Sequence, residues 1–439
     1  MTERRDFIKK SLVGTAGIAI GGMGFSAKSY GSIIGSNERI NLAVIGIRGQ
    51  GGGHINTYAS LKDDRNVRIK TLCDADEQFF KERADNAEKL TGYRPATEWD
   101  MRKVFDDKEI HAVSMAIPNH WHALGTIWAC QAGKHVFVEK PVAVDGPSAR
   151  IMYAAGEVAQ QKGLKVAAGT QRRHQAGYIE TIKQIHDGAI GDIVALRAYW
   201  VNGGPIWHRA KEEAEAKTEM EKQIRNWYHY IWLCGDHICE QHVHNIDVCN
   251  WIMKDHPVKV WGQGSRQQLG EKSGEIWDNF DCEFEYAAGA HMFSYCGQIK
   301  RSWSSVSEAV QGTKGTSNPS GSYALYGQKD SWKSTLQLQS KNPYEQEHID
   351  LINAILNNTE LNETKNVTDS TLTAIMGREA SYSGALVTWD QILNSEFKYG
   401  PDLLYTDACK MTWGAFRTLK PTMPSQHNIF KKPAEVPVA

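Results

Sequence analysis

The sequence has no Cys-x-x-Cys pair. Its eight cysteines (Cys73, Cys130, Cys234, Cys239, Cys249, Cys282, Cys296 and Cys409) are scattered. That argues against a zinc ribbon, and they read as small buried hydrophobes. Neither sign of charge is in excess: 50 Lys and Arg stand against 51 Asp and Glu, a net charge of −1. Nothing in that balance points to nucleic acid or to an acidic disordered tail. There is no internal repeat and no low-complexity tract. The one apolar stretch near the start, Ser11 to Ala27, is short and glycine-rich for a membrane span, which needs about 20 residues. What is present is ordinary for a soluble globular protein: 41% hydrophobic and 23% charged residues over 439 positions, enough for two domains. The 14 Trp and 16 Tyr suit sugar rings, and equally suit large cores and a subunit interface.

The first residues, MTERRDFIKKSLVGTAGIAIGGMGFSAKS, run from basic (Arg4, Arg5, Lys9, Lys10) to apolar to small (Ser26, Ala27). That is the layout of an export signal. RRDFIKK resembles a twin-arginine signal, with Glu3 where Ser or Thr is usual. An ordinary secretory signal or an uncleaved anchor are the alternatives. The expectation is an exported, periplasmic protein without stable membrane insertion after processing. Residues 1–38 then comprise the signal and a polar linker.

From Ile40 the pattern changes. INLAVI reads as a strand buried on both faces, followed by Gly46, Gly49, Gly51, Gly52 and Gly53 and then a helix. A dinucleotide pyrophosphate needs backbone N–H groups at close range before a helix N-terminus, and a Cβ there would block it. Gly46, Arg48, Gly49, Gln50 and Gly51 are therefore expected at a cofactor. The spacing departs from G-x-G-x-x-G, since Arg48 occupies a glycine position. A second strand, NVRIKTLCDAD, ends at Asp74, whose carboxylate can accept ribose hydroxyls and repel a 2′-phosphate. This favours NAD over NADP, although Arg48 could offset the repulsion; a helix N-cap is the other role open to Asp74. EIHAVSMAIPNHWHA breaks at Pro118-Asn119, and KHVFVEKPVA ends at Glu139-Lys140-Pro141. Strands alternating with helical stretches predict an α/β, doubly wound parallel sheet over 39–165, a Rossmann domain with ligands at the C-terminal strand ends.

A second domain is expected over 166–420, then an extended arm, 421–439. In DNFDCEFEY, Phe280, Cys282, Phe284 and Tyr286 alternate with acidic residues, one face buried and one polar, with a turn at Ala288-Gly289. GDHICEQHVHNIDVCNW reads as a helix, placing His237, Glu240, His244 and Asp247 on one face. Read as a strand, Glu240, His242 and His244 would share a face instead. A metal held by His237, Glu240 and His244 is the rival, and no metal is the preferred reading. Arg172, Arg173 and His174 are candidates for substrate contacts; a structural ion pair is equally open. Trp227 and Tyr228 could stack on a pyranose or build an interface. Residues 209–223 read as a solvated charged helix or flap.

Taken together, the glycine loop, Asp74, AIPNHWHA, EKP and GDHICEQHVHNID resemble the Gfo/Idh/MocA oxidoreductase family, over roughly residues 39–400. The resemblance implies a C-terminal α+β domain with an open, mostly antiparallel sheet, one face over the active site and the other used for pairing into a dimer or tetramer. It puts Lys140 beside the nicotinamide, with Pro118, Asn119, His122 and Glu139 also at the cofactor. It makes His244 the general base, with Glu240 four residues before it where the family more often has Asp. The implied activity is NAD-dependent oxidation of a sugar, glycoside or polyol hydroxyl. A redox-neutral NAD-dependent glycosidase is the alternative, since such relatives carry loops resembling GIRGQ. A catalytically inactive sugar-binding sensor is the third reading. Export would require the dinucleotide to be carried out tightly bound in the folded protein and restored within each cycle.

Overall fold

The computed structural model describes residues 39–204, 206–270, 274–400 and 422–430. Six parallel strands form the first sheet: β1 (Ile40–Ile45), β2 (Val67–Cys73), β3 (Ala96–Glu98), β4 (Ala112–Met115), β5 (His135–Val138) and β6 (Val166–Ala168), in the order β3-β2-β1-β4-β5-β6. The order reverses between β1 and β4, so a crevice opens at the C-terminal end of β1. β1 is apolar at every position but Asn41, because both its faces are covered. Leu42 and Val44 pack on one side with Ile55 and Tyr58 of helix α1 (Gly49–Ser60). Ala43 and Ile45 pack on the other with helices α2 (His122–Gln131) and α3 (Gly146–Lys162). Leu42, Val44 and Ile45, each fully out of water, contribute about 1.5–3 kcal/mol apiece.

The domain boundary expected at 165/166 falls one strand early. Val166–Ala168 pairs with β5 and completes the parallel sheet. A later helix, α5 (Pro343–Leu356), also returns to this domain, burying Ile349, Leu351, Ile352 and Ile355 in the cluster beneath β1 and β2.

The second sheet has nine strands: β7 (Ile193–Val201), β8 (Pro257–Ser265), β9 (Asn279–Tyr286), β10 (His291–Gly297), β11 (Ser305–Gly312), β12 (Gly315–Asn318), β13 (Ser322–Leu325), β14 (Ser331–Lys333) and β15 (Val387–Thr388). Their order is β14-β13-β12-β11-β7-β10-β9-β8-β15, antiparallel except between β10 and β7. The period-2 pattern of β9 holds, with Phe280, Cys282, Phe284 and Tyr286 buried. They face the core that α4 (Val243–Met253) and α6 (Thr364–Ser383) help to build. The other face exposes Tyr295, Trp303 and Val306.

Residues 209–223 form two short helices, Ala210–Ala214 and Glu219–Arg225. They are not simply solvated: Met220 and Gln223 are buried, and Gln223 Oε1 accepts from Trp232 Nε1 at 2.7 Å. Seven cysteines are free and buried, and Cys409 lies outside the described residues. The expected export signal, residues 1–38, also lies outside them. Of the expected arm, 422–430 packs on the second domain: Trp277 Nε1 donates to the Thr422 carbonyl at 2.7 Å. Among the described residues no helix is long and apolar enough to cross a membrane.

Candidate active site

The glycine loop leaves β1 through Gly46, whose φ of +79° is left-handed and whose added Cβ would lie 2.4 Å from the Ala116 carbonyl oxygen. At Gly51, in the first turn of α1, a Cβ would lie 1.7 Å from the Gly46 carbonyl oxygen. Neither position accepts any side chain, so the turn presents bare backbone. Gly49, Gln50 and Gly51 contribute first-turn N–H groups to the N-terminus of α1, which attracts anions. A cradle that a single Cβ would fill fits the phosphates of a dinucleotide.

Asp74 braces this loop. Its Oδ2 accepts from Ile47 N at 2.9 Å and its Oδ1 from Asp76 N at 2.9 Å. The short helix downstream begins after Asp76, so Asp74 is not its N-cap. Burial raises the carboxyl pKa of Asp74, and the two backbone donors oppose that. Arg48 sits over the Phe79 ring at 4.4 Å and forms a two-pronged ion pair with Glu212.

Across the crevice, β5 runs out into Glu139 and Lys140, and the Lys140-Pro141 peptide bond is cis. Lys140 Nζ donates to the Glu240 carbonyl at 2.6 Å and to Glu240 Oε1 at 3.1 Å. Asn119, just after Pro118, donates from Nδ2 to Glu240 Oε2 at 2.6 Å and to the Cys234 carbonyl at 2.8 Å. Burial raises the pKa of Glu240 while Lys140 and Asn119 pull it down. His244 is also buried, and its Nδ1 has no hydrogen-bond partner. Burial, then Lys140, Arg172 and His242, push its pKa well below the ordinary histidine value. The imidazole is therefore neutral near pH 7 and able to accept a proton.

The segment carrying Glu240 and His244 is helical, as expected, but not one regular helix. The chain breaks at Gly235 and Asp236, both at positive φ, and then makes a π-helical turn over Ile238–His242 before α4. A π turn holds more residues than an α turn, so the expected common face is divided. Glu240 and His244 stay by Lys140. His237 instead packs edge-on against Trp200 at 5.1 Å, with Nδ1 3.3 Å from the Tyr228 hydroxyl. Asp247 receives Arg173 at 2.8 and 2.9 Å and Ser370 at 2.8 Å. Among the described residues no three His, Cys, Asp or Glu side chains are placed to hold a metal.

The remaining expected residues divide by surroundings. Glu139 is held by His54 Nε2 at 3.1 Å, and His54 Nδ1 meets the Ser114 hydroxyl at 2.9 Å. His122 Nδ1 lies 2.7 Å from the Pro141 carbonyl, and burial pushes its pKa down to about 4. Both side chains support the EKP turn from beneath. Arg172, Arg173 and His174 all take the ion-pair alternative. Arg172 binds Glu308 at 2.6 Å, Arg173 binds Asp247, and His174 lies between Asp350 at 2.7 Å and Glu363 at 3.2 Å. Tyr228 is buried, and Trp227 and Trp207 stand 6.0 Å apart beside it. Two further residues carry no signal in the sequence: Tyr344, whose hydroxyl accepts from Gln171 Nε2 at 3.2 Å and feels the charge of Lys140, and Glu212. Neither stands in a motif, and their partners lie far away in the chain.

Comparison with known proteins identifies the fold. Residues 40–170 match the model of an oxidoreductase family with an NAD-binding Rossmann fold, and residues 178–318 match that family's C-terminal domain. A levoglucosan dehydrogenase of Pseudarthrobacter phenanthrenivorans is 33% identical over 170 residues, 37% of this chain and 41% of that protein. A glycosyl hydrolase family 109 protein of Akkermansia muciniphila is 24% identical over 199 residues, 44% of this chain and 38% of that protein. The chain thus matches about two fifths of the length of these curated relatives. A solved levoglucosan dehydrogenase in complex with NADH and levoglucosan shares the fold, with a TM-score of 0.64, 19% identity, and coverage of 81% of this chain and all of that one.

Proposed function

Because this chain belongs to the Gfo/Idh/MocA oxidoreductase family, we propose that it oxidises a hydroxyl of a sugar, glycoside or polyol with a tightly held NAD. The observation that carries this is the buried Lys140–Glu240–His244 group, facing the crevice whose other wall is the glycine cradle. NAD supplies the hydride acceptor when bound. Lys140, held in place by the Glu240 carbonyl and carboxylate, polarises the substrate oxygen. His244, neutral through burial, takes the hydroxyl proton on its imidazole. Asp74, fixed by two backbone N–H groups, accepts the adenosine ribose hydroxyls. Trp227, beside Trp207 and the buried Tyr228, offers an aromatic surface to a sugar ring, while the paired Arg172, Arg173 and His174 hold the domain junction.

A redox-neutral NAD-dependent glycosidase is the second reading, supported by the family 109 relative and by the GIRGQ loop. One incubation separates them. Purified protein is given NAD with free sugars and polyols, and separately with aryl glycosides. A keto-sugar formed together with reduced nicotinamide supports the dehydrogenase. Aglycone release without net reduction replaces it with the glycosidase. Neither product overturns both and leaves a binding sensor.

Export by a twin-arginine route to the periplasm is part of this reading, supported by Arg4-Arg5 and the apolar stretch after them. Pairing into a homo-oligomer is supported by the exposed aromatic sheet face around Tyr295 and Trp303. Fractionation of cells carrying Arg4→Lys with Arg5→Lys, and light scattering of the purified chain, test the two.

A further inference from the structure

The insertion between β7 and the π-helical turn reaches across to the first domain. Glu212, in its first short helix, takes both terminal nitrogens of Arg48, the residue just before α1. Arg225, at the end of the second short helix, lies 3.4 Å from Asp76. Both contacts fall where the glycine loop meets the loop after β2, the place at which a Rossmann domain receives the adenosine ribose.

The insertion is built to hold this position. His208 pairs with Glu213 at 2.7 Å, and Lys222 pairs with the same carboxylate at 3.3 Å. Asn226 Oδ1 accepts from Arg209 N at 2.8 Å, and His229 Nε2 lies 2.7 Å from the Trp207 carbonyl. Buried Met220 and Gln223 anchor it in the second domain. The Arg225 guanidinium also donates to the Glu212 carbonyl at 3.3 Å.

An arginine beside the ribose is the group that receives the 2′-phosphate of NADP. Arg48 stands in that place, and its fork is filled by Glu212. The two arginines that the insertion brings here are committed too: Arg209 stacks on Trp207 at 4.1 Å and donates to the Arg225 carbonyl at 3.0 Å, while Arg225 serves Asp76 and Glu221; Arg83, against Gly52, pairs with Glu82 at 3.5 Å. A 2′-phosphate would have to displace one carboxylate from Arg48 while lying beside another, Asp74. We propose that Glu212 is a specificity residue for the dinucleotide, acting through Arg48: it occupies the guanidinium that would otherwise bind a 2′-phosphate, so the protein takes NAD and rejects NADP. This rests on the dinucleotide reading of the cradle and is independent of the substrate oxidised.

The test is competition between NADH and NADPH for the purified full chain, read as the ratio of the two dinucleotides released from it on denaturation. Glu212→Gln keeps the shape and removes the charge. It is expected to shift the ratio towards NADPH by roughly tenfold, the scale of freeing one charge-assisted pair. Glu212→Asp should restore the original preference. In an Arg48→Met background, Glu212→Gln should no longer change the ratio. An unchanged ratio in folded Glu212→Gln, or equal loss of both dinucleotides, overturns the proposal and leaves Glu212 a merely structural contact. If the unaltered chain retains neither dinucleotide, the cradle reading itself fails, a different result from either of these.

Discussion

Lys140 Nζ lies 2.6 Å from the backbone carbonyl of Glu240 and 3.1 Å from its carboxylate, tying the last residue before Pro141 in the first domain to the π-helical turn of the second. The pair spans the crevice and is nearly buried on both sides. Removing Lys140 by Lys140→Met should lower kcat by about 100- to 10,000-fold, the range of a lost acid–base group, and leave NADH binding nearly unchanged. Steady-state kinetics beside a binding titration would check this; parallel losses in both would place Lys140 in binding alone.

As the proposed base, His244 should set the acid side of the pH profile. A base works only when unprotonated, so a pKa held well below the ordinary histidine value keeps it active as pH falls below about 6.5. Lys140 is one of the causes of that depression. In Lys140→Met the residual activity should therefore lose its acid limb at higher pH than the unaltered protein. The pH dependence of kcat in both proteins measures this, and an acid limb that does not move contradicts the assignment.

Arg172 is a stability residue by its contacts. Glu308 is fully enclosed and receives Arg172 at 2.6 Å, Asn245 at 2.6 Å and Tyr178 at 2.8 Å. Arg172→Ala leaves that carboxylate without a cation, at a cost of roughly 3–5 kcal/mol. Denaturant unfolding should show the loss. A raised KM with unchanged stability would return Arg172 to the substrate.

His174 links stability to alkaline pH. Burial alone would lower its pKa, but Glu363 and Asp350 raise it to about 10. A pKa above the unfolded value of about 6.5 means the pair stabilises fully below that pH and loses its contribution as pH rises towards 10. Unfolding free energy should fall across this window, and less steeply in His174→Gln.

Gly51→Ala would place a methyl group 1.7 Å from the Gly46 carbonyl oxygen. The loop must then open. NADH binding should be lost and the melting temperature should drop; normal binding would mean that the cradle is not where the dinucleotide lies.

Much of the framework is legible in a few contiguous residues. A strand apolar at five of six positions, with only Asn41 polar, must be covered on both sides, and β1 is. Glycines straight after it mark a turn that a Cβ would close, which Gly46 and Gly51 confirm. The alternation of Phe280, Cys282, Phe284 and Tyr286 assigns the buried face of β9. The likeness of EKP and of the histidine-bearing segment to the family marks Lys140, Glu240 and His244 in the sequence. The domain edge was less legible, because Val166–Ala168 is too short to carry a pattern of its own.

Local backbone sterics and side-chain period act between neighbours in the chain, so the sequence alone determined the parallel sheet, the bare glycine turn and the residue types gathered at its mouth. Partner choice among buried charges acts between residues that only folding makes neighbours. Lys140 and Glu240 are 100 positions apart, Arg172 and Glu308 136, and Arg48 and Glu212 164. Tertiary structure alone therefore decided that Arg172, Arg173 and His174 face carboxylates of the fold. It also decided that a π turn separates His237 from His244, and that an insertion of the second domain closes on the arginine of the first.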